Sequence, residues 1–332
     1  MKSISREELL DSIFAIQNRN DFEAIALDVF RYQADQNPVY AKYLSLLKRD
    51  VGTVSRIEEI PFLPIEFFKT EKVLSHFETA DLIFTSSTTT GSVPGMHYVA
   101  DPGLYEKSFM STFRLFYGEP QDYCILALLP AYLERTGSSL VYMVDKLIAE
   151  SNHQSGGFYL NNHDDLAEKL KSLKQRHQKT LLIGVTFALL DFIDKFHVEF
   201  PELIVMETGG MKGRREELVR EEVHVLLKKG FGISKIHSEY GMTELLSQAY
   251  SKGEGFFDCP PWMQILIREP NDPFYILPKG KSGGINIIDL ANIDSCSFIE
   301  TQDLGKIHED GRFEVLGRFD SSDLRGCNLM IL

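Results

Sequence analysis

Cysteine and positive charge are both scarce in this chain, and each scarcity closes off a class of function. Four cysteines, Cys124, Cys259, Cys296 and Cys327, are scattered through 332 residues without a Cys-x-x-Cys pair. That spacing argues against a structural zinc site and against a disulfide framework. Isolated cysteines are mostly small core residues, which is the expectation for Cys124 and Cys296. Lysine and arginine number 35 against 48 aspartates and glutamates, a net charge of −13. A surface of that average sign repels nucleic acid and anionic lipid, so no nucleic-acid partner is expected. Any anionic ligand must then find its positive charge gathered locally. Long apolar runs are missing too. No stretch is long and apolar enough to span a bilayer, and Met1–Glu8 lacks the apolar core of a signal peptide. No membrane span and a cytoplasmic location are therefore expected. No repeat, low-complexity tract or polar linker separates independent domains.

What is present is globular material, 43% hydrophobic and 25% charged. Helical apolar spacing covers Arg6 to Arg19 and Asp21 to Asp35, and Asp101-Pro102 opens a helix towards Tyr117. Strand-like runs at Cys124–Leu129, Leu181–Val185, Leu203–Glu207 and Ile233–Ile236 then alternate with helical ones at Ser138–Glu150, Phe187–Phe200 and Glu216–Lys229. In the last of these helices Leu218, Val219, Glu222, Val223, Leu226 and Leu227 follow helical spacing, and Gly230 is expected to end it. Such alternation predicts parallel strands with crossover helices, an α/β fold. After about residue 255 the texture changes. Met263–Arg268, Gly284–Leu290, Ser297–Thr301, Leu304–His308 and Arg312–Leu316 read as strands, with Glu309-Asp310-Gly311 a hairpin turn.

The segment Phe84-Thr85-Ser86-Ser87-Thr88-Thr89-Thr90-Gly91-Ser92-Val93-Pro94-Gly95 stands out against this background. It is poor helix material and lacks strand alternation, so it reads as a loop leaving the short apolar run Leu82-Ile83-Phe84. Backbone N–H groups and hydroxyls in such a loop can wrap a phosphate without a formal charge. A solvated Ser/Thr turn has the same composition. The loop is neither a Walker A sequence nor a Rossmann Gly-x-Gly-x-x-Gly. Downstream, Leu203-Ile204-Val205-Met206-Glu207-Thr208-Gly209-Gly210-Met211-Lys212-Gly213-Arg214-Arg215 is a strand feeding a Gly-Gly pair, a place where a ligand can approach backbone. His237-Ser238-Glu239-Tyr240-Gly241-Met242-Thr243-Glu244, Thr301-Gln302-Asp303-Leu304-Gly305 and Gly317-Arg318-Phe319-Asp320 complete the set. Taken singly, each has a bland reading as a turn or a helix start.

Taken together and in this order, the five segments resemble the motifs of adenylate-forming enzymes. Ile60–Lys69, Leu129–Ser139 and Arg325-Gly326-Cys327-Asn328-Leu329-Met330 look like one branch, the fatty-acid acyl-protein synthetase (LuxE) family. The resemblance covers roughly residues 55 to 332 and departs from the superfamily loop at two points. Thr88 stands where glycine is usual, which a β-branched residue at φ > 0 tolerates badly, and no lysine follows Pro94. The resemblance implies a helical lead-in over 1–55 and an adenylation-domain fold over 56–332, with mixed and parallel sheets and a C-terminal antiparallel β segment. It also implies that the small C-terminal domain of full-length relatives is absent, since the chain ends shortly after Asp320.

The implied activity is ATP-dependent activation of a fatty or other carboxylic acid as acyl adenylate, followed by acyl transfer to a protein thiol. ATP and Mg²⁺ are the implied cofactors, and an acyl-accepting protein such as a reductase or carrier is the implied partner. By resemblance Thr85, Ser86, Ser87, Thr89, Thr90 and Gly91 cradle phosphates, and Gly209 and Gly210 line the adenine pocket. Tyr240 and Gly241 meet the adenine, Thr243 donates to the α-phosphate, and Glu244 holds Mg²⁺. Asp303 and Arg318 take the ribose. Cys327, with Arg325 beside it to favour the thiolate, is the implied acyl acceptor; a buried spectator cysteine is the alternative. Lys212, ahead of Arg214 and Arg215, is the candidate for the positive charge that full-length relatives bring from their C-terminal domain, unless this is a solvated basic turn. His237 either orients substrate or packs, and Tyr132–Ser139 is placed along the acyl pocket. Two other readings stay open: an acyl-CoA ligase-like enzyme, and a non-catalytic nucleotide- or acyl-binding module.

Overall fold

The computed structural model describes residues 4–76, 79–86, 93–130, 137–209 and 218–319. The chain divides into two compact units, one comprising residues 77–260 and the other residues 1–76 with 261–332.

The 77–260 unit is built on six strands in the order Gly157–Phe158, Cys124–Leu128, Thr180–Val185, Ile204–Thr208, His237–Tyr240, Ala249–Ser251. The first five run parallel, and Ala249–Ser251 closes the edge antiparallel. Parallel pairing obliges the chain to cross over between strands. Helices Ser139–Ser151, His163–Gln175, Thr186–Ile193 and Arg220–Phe231 make those crossings. Cys124–Leu128 and Thr180–Val185 are buried at every position, which is why they read as unbroken apolar runs. Burial pushes the Cys124 thiol up to about 12, as expected of a core cysteine. Side chains cap the helices: Ser138 accepts from the Val141 N–H, Asn162 from that of Asp165, and Asp101 from that of Leu104, with Pro102 in the first turn of Pro102–Tyr117. A two-stranded antiparallel hairpin, Leu82–Thr85 with Met96–Val99, brackets the hydroxyl-rich segment.

Several boundaries differ from the expectations. Gly230 does not end its helix, which runs to Phe231 and is capped by Gly232 at φ +63. Gly230 instead lies inside the helix, where a β-carbon would come within 2.6 Å of the Ile193 side chain, so it allows two helices to touch. Because that helix runs on, the following strand is His237–Tyr240 rather than Ile233–Ile236, and pairing begins with Met206 opposite His237. The helix expected over Phe187–Phe200 spans only Thr186–Ile193, and the one from Arg6 stops at Ile13 because Asn18 caps the next.

The other unit carries a second six-stranded sheet. Its path is Leu63–Pro64, Phe298–Ile307, Ser282–Asp289, Met263–Glu269, Asp272–Ile276, with Phe313–Arg318 also paired to Phe298–Ile307. All pairs are antiparallel except the first. The two strands expected at 297–301 and 304–308 are one strand whose register shifts at Leu304/Gly305. The expected turn is in place, with the His308 N–H donating to the Arg312 carbonyl and Gly311 at φ +92.

Helices Arg6–Ile13, Arg19–Gln36 and Pro38–Leu46 belong to this unit and are more than a lead-in. Buried Gln33 donates from Nε2 to the carbonyls of Asn292, Ile293 and Ser295, and its Oε1 accepts from the Ser297 N–H. Asn37 donates to the Ser295 carbonyl at 2.7 Å, and Arg6 forks onto Asp294. Around them Phe30, Tyr40 and Phe62 pack on Phe298, and such aromatic pairs contribute about 1 kcal/mol each beyond area burial. A boundary at residue 55 therefore falls inside a single core. Buried Cys296 belongs to that core as well.

Candidate functional site

In the 77–260 unit Thr85, Ser86, Thr243 and Glu244 meet where the two hairpin strands flank the hydroxyl-rich segment. The Ser86 N–H donates to the Gly95 carbonyl at 2.9 Å, and the Gly95 N–H donates back to the Ser86 hydroxyl at 2.7 Å. The Thr85 N–H donates to the carbonyl of Gly137, which sits at φ +84. Glu244 reaches the same point. A β-carbon at Gly95 would lie 2.6 Å from Glu244 Oε1 and 3.3 Å from Ser86 Oγ, so glycine here is what admits a buried carboxylate. The neighbouring residue is tied to the hairpin: His97, 1% exposed, holds Nδ1 2.9 Å from the Thr243 carbonyl. A carbonyl only accepts, so Nδ1 carries the proton. Hairpin and motif turn are thus joined through both Thr243 and Glu244.

Just behind this turn lie two buried carboxylates, on opposite faces of the sheet because the pleat alternates. Glu207 pairs in register with Ser238, and Thr208 with Glu239. Glu207 Oε1 is 3.8 Å from Arg220 Nε and 3.6 Å from His224 Nε2, while Oε2 accepts from the Thr186 hydroxyl. Burial opposes its charge, but His224, Arg220 and Ser238 outweigh burial and hold the group below the ordinary carboxylate value. Glu239 faces the other way, towards Tyr117 and Tyr250, and accepts from the Thr208 hydroxyl at 2.6 Å. Burial, with Glu207 adding repulsion, pushes it up to about 7 against the pull of Thr208. Pairs of titratable groups driven apart in this way recur at functional sites. The turn after Thr208 is held as well, since the Thr186 hydroxyl donates to the Gly209 carbonyl at 2.5 Å and Gly209 takes φ +70.

Tyr240 is mostly buried, with its ring edge-on to Phe257 at 5.9 Å. His237 pairs with the Tyr117 hydroxyl at 3.1 Å, and burial, then Lys252 and Lys235, push it down to about 4. A neutral, half-buried His237 fits the packing alternative.

In the other unit the two ribose candidates are partners. Asp303 and Arg318 face each other across adjacent strands, with Arg318 Nε 3.1 Å from Asp303 Oδ1. Arg318 is exposed and Asp303 buried, so the pair presents its guanidinium outward. Beneath them buried Arg268 donates to the carbonyls of Thr301 and Ile285 and lies 5.5 Å from the Phe319 ring centre. A β-carbon on Gly284 would overlap that guanidinium. Arg268 therefore anchors the strand that carries Asp303.

Comparison with known proteins is uneven. No protein-family profile matches the chain, and no curated protein does. Solved structures match. ATP-bound MatB from Rhodopseudomonas palustris is similar with a TM-score of 0.53 at 20% identity, over 73% of this chain and 49% of MatB. An open conformation of 2-hydroxyisobutyryl-CoA ligase, in complex with 2-HIB-AMP and CoA, gives 0.68 at 10% identity, over 92% of this chain and 72% of the ligase. The same ligase in its thioesterification state gives 0.63 at 11% identity, over 96% and 70%. The fold is that of an adenylation domain. The chain spans about half the length of MatB.

On this adenylation-domain fold, Thr85, Ser86, Thr243 and Glu244 come together at the hairpin, and Gly209, Tyr240 and Gly241 lie at the ends of two adjacent strands. Asp303 and Arg318 pair in the other unit. Ser87, Thr88, Thr89, Thr90, Gly91, Gly210, Lys212, Arg214, Arg215, Tyr132 and Cys327 lie outside the described residues. His97, Arg268 and Glu239 are the additions. His97 sits in a four-residue strand with no pattern to mark it, and Arg268 ends an otherwise apolar run. Glu239 had a signal, a carboxylate between Ser238 and Tyr240 at the end of a strand.

Proposed function

We propose that this chain activates a carboxylic acid by adenylation: a carboxylate oxygen attacks the α-phosphorus of ATP and pyrophosphate leaves with the electrons of the broken P–O bond. The observation that carries the reading is the approach of buried Glu244 to Ser86 and Gly95, the described residues that flank the hydroxyl-rich segment, with Thr243 held beside it by His97. Phosphoryl and nucleotidyl transfers ask a protein chiefly for positioning and charge neutralisation, which such a junction supplies. The donor set fits a hard cation, since the Glu244 carboxylate stands beside the Ser86 hydroxyl at a point where a β-carbon on Gly95 would overlap Oε1. Glu244 would hold Mg²⁺, which when bound neutralises phosphate charge. Thr243 donates to the α-phosphate, and Thr85, Ser86, Ser87, Thr89, Thr90 and Gly91 cradle the outer phosphates. Gly209, Gly210, Tyr240 and Gly241 receive the adenine, while Asp303 and Arg318 take the ribose.

The finer reading names a fatty acid as substrate and a protein thiol as acceptor. A thiolate attacks the carbonyl carbon of the acyl adenylate, the mixed-anhydride C–O bond breaks, and AMP leaves with the bridging oxygen. Cys327 is the proposed thiol, and Lys212 the proposed cation near the phosphates. A coenzyme A acceptor is the competing reading, favoured by the likeness to a ligase bound to 2-HIB-AMP and CoA. The test is ATP–pyrophosphate exchange with Mg²⁺ across a panel of carboxylic acids. Exchange that requires an acid supports adenylation, and none with any acid overturns it. Hydroxylamine-labile labelling of the protein by radioactive acid, lost in Cys327→Ser while exchange persists, supports the protein acceptor. Labelling of coenzyme A alone supports the other.

A further inference from the structure

The site residues Gly209 and Gly241 end two neighbouring strands, and one side chain touches both turns. Glu239 Oε2 accepts from the hydroxyl of Thr208, the residue before Gly209, at 2.6 Å. Its Oε1 lies so close over Gly241 that a β-carbon there would overlap it. The Gly209 side is braced in turn by the Thr186 hydroxyl, which also donates to Glu207. We propose that Glu239 is a positioning residue of the nucleotide site, its carboxyl group setting the spacing between the Thr208–Gly209 turn and the Tyr240–Gly241 turn. This rests on the adenylation reading for the identity of the ligand, a nucleoside triphosphate, and on the contacts above for the role.

The surroundings make that role depend on protonation. Glu239 is buried and pushed up to about 7, first by burial and then by Glu207, with Thr208 opposing. The groups packed around it are Thr208 on the adjacent strand, Tyr250 on the other side, and Tyr117 from helix Pro102–Tyr117, while the charge of Glu207 acts on it from the opposite face of the sheet. Arg220 and His224 come from helix Arg220–Phe231 but serve Glu207 on the opposite face. His237 shares the strand and is itself held neutral, with Lys252 and Lys235 near it. The tyrosines facing Glu239 are pushed up by burial, so they stay neutral over the working range and offer it no charge. A neutral carboxyl suits this pocket. Ionisation places a second negative charge beside Glu207, and relieving it shifts the carboxyl from Thr208 and Gly241.

The experiment measures ATP affinity by calorimetry and exchange kinetics between pH 6 and 8.5 for wild type, Glu239→Gln, Glu239→Ala and Thr208→Val. Glu239→Gln keeps the neutral shape. Wild-type ATP affinity should therefore fall roughly fivefold from the acid to the alkaline end relative to Glu239→Gln. Glu239→Ala should weaken ATP at every pH, and Thr208→Val should add little to it in the double variant. Identical pH profiles for wild type and Glu239→Gln overturn the proposal, as does unchanged affinity in Glu239→Ala with the fold intact by circular dichroism. The two readings separate cleanly. ATP binding with the expected pH dependence but no exchange with any acid sinks adenylation and keeps Glu239, whereas acid-dependent exchange indifferent to Glu239 does the reverse. A wild type that binds no ATP overturns both.

Discussion

Gly95 is the residue whose identity the junction depends on most narrowly. Its missing side chain is what leaves room for Glu244, and alanine there would put a β-carbon 2.6 Å from Glu244 Oε1. Gly95→Ala should lower kcat/KM for exchange by about tenfold or more, with little change in unfolding temperature, because the displaced group is the proposed Mg²⁺ ligand. An unchanged rate would mean that Glu244 works elsewhere. Asp303→Asn should raise the KM for ATP more than it lowers kcat, since the proposed ribose contact would position the nucleotide. It also frees Arg318 from its 3.1 Å partner, and equal ATP affinity in mutant and wild type would contradict the ribose role. Stability against pH offers a third check at this scale. The folded protein raises Glu239 from 4.5 to about 7, so the stability it contributes is fully present below 4.5 and lost as pH rises through about 7. Glu207 has the opposite sign: held low, it contributes above 4.5 and loses that contribution as pH falls through its folded value. Between pH 5 and 8 Glu239→Gln should therefore gain on wild type by up to about 3 kcal/mol in denaturant titrations. A constant difference across that range would show that Glu239 ionises normally.

At the scale of elements, the helices before residue 55 make the strongest structural claim. Gln33 satisfies four backbone groups of the 292–297 segment, so Gln33→Leu should cost about 3 kcal/mol and shift the urea midpoint without changing the slope. A shift near zero would detach those helices from the core. This contact also shows where reading from sequence stops. The strands Cys124–Leu128, Thr180–Val185 and Ile204–Thr208 were legible because central parallel strands are apolar on both faces, and Pro102–Tyr117 because Asp-Pro is a helix start. Gln33 was not, because an amphipathic helix announces a buried face but never its partner more than 250 residues away. Nor was strand Asp272–Ile276, which is exposed, contains Pro273 and shows no alternation. The site divides along the same line. The motif turns were legible from residue types whose chemistry is local, while His97 and Arg268 act through backbone carbonyls that any residue could supply.

For the whole molecule, the central fact is an adenylation-domain fold in a chain of net charge −13. An acidic protein that takes ATP, as proposed, would have to neutralise phosphates locally, and the hydroxyl-rich segment, the proposed Mg²⁺ at Glu244 and the proposed Lys212 are the means put forward for it. That electrostatic scarcity predicts strict dependence on a divalent cation rather than mere stimulation by it. Adenylation requires a carboxylate oxygen to bond to the α-phosphorus. Oxygen-18 placed in the acid's carboxylate traces that bond directly. After acid-dependent turnover to the acyl acceptor, mass spectrometry of the recovered AMP should find one labelled oxygen per acyl group transferred, with pyrophosphate unlabelled. Label in inorganic phosphate with ADP formed, or AMP without label, would contradict adenylation.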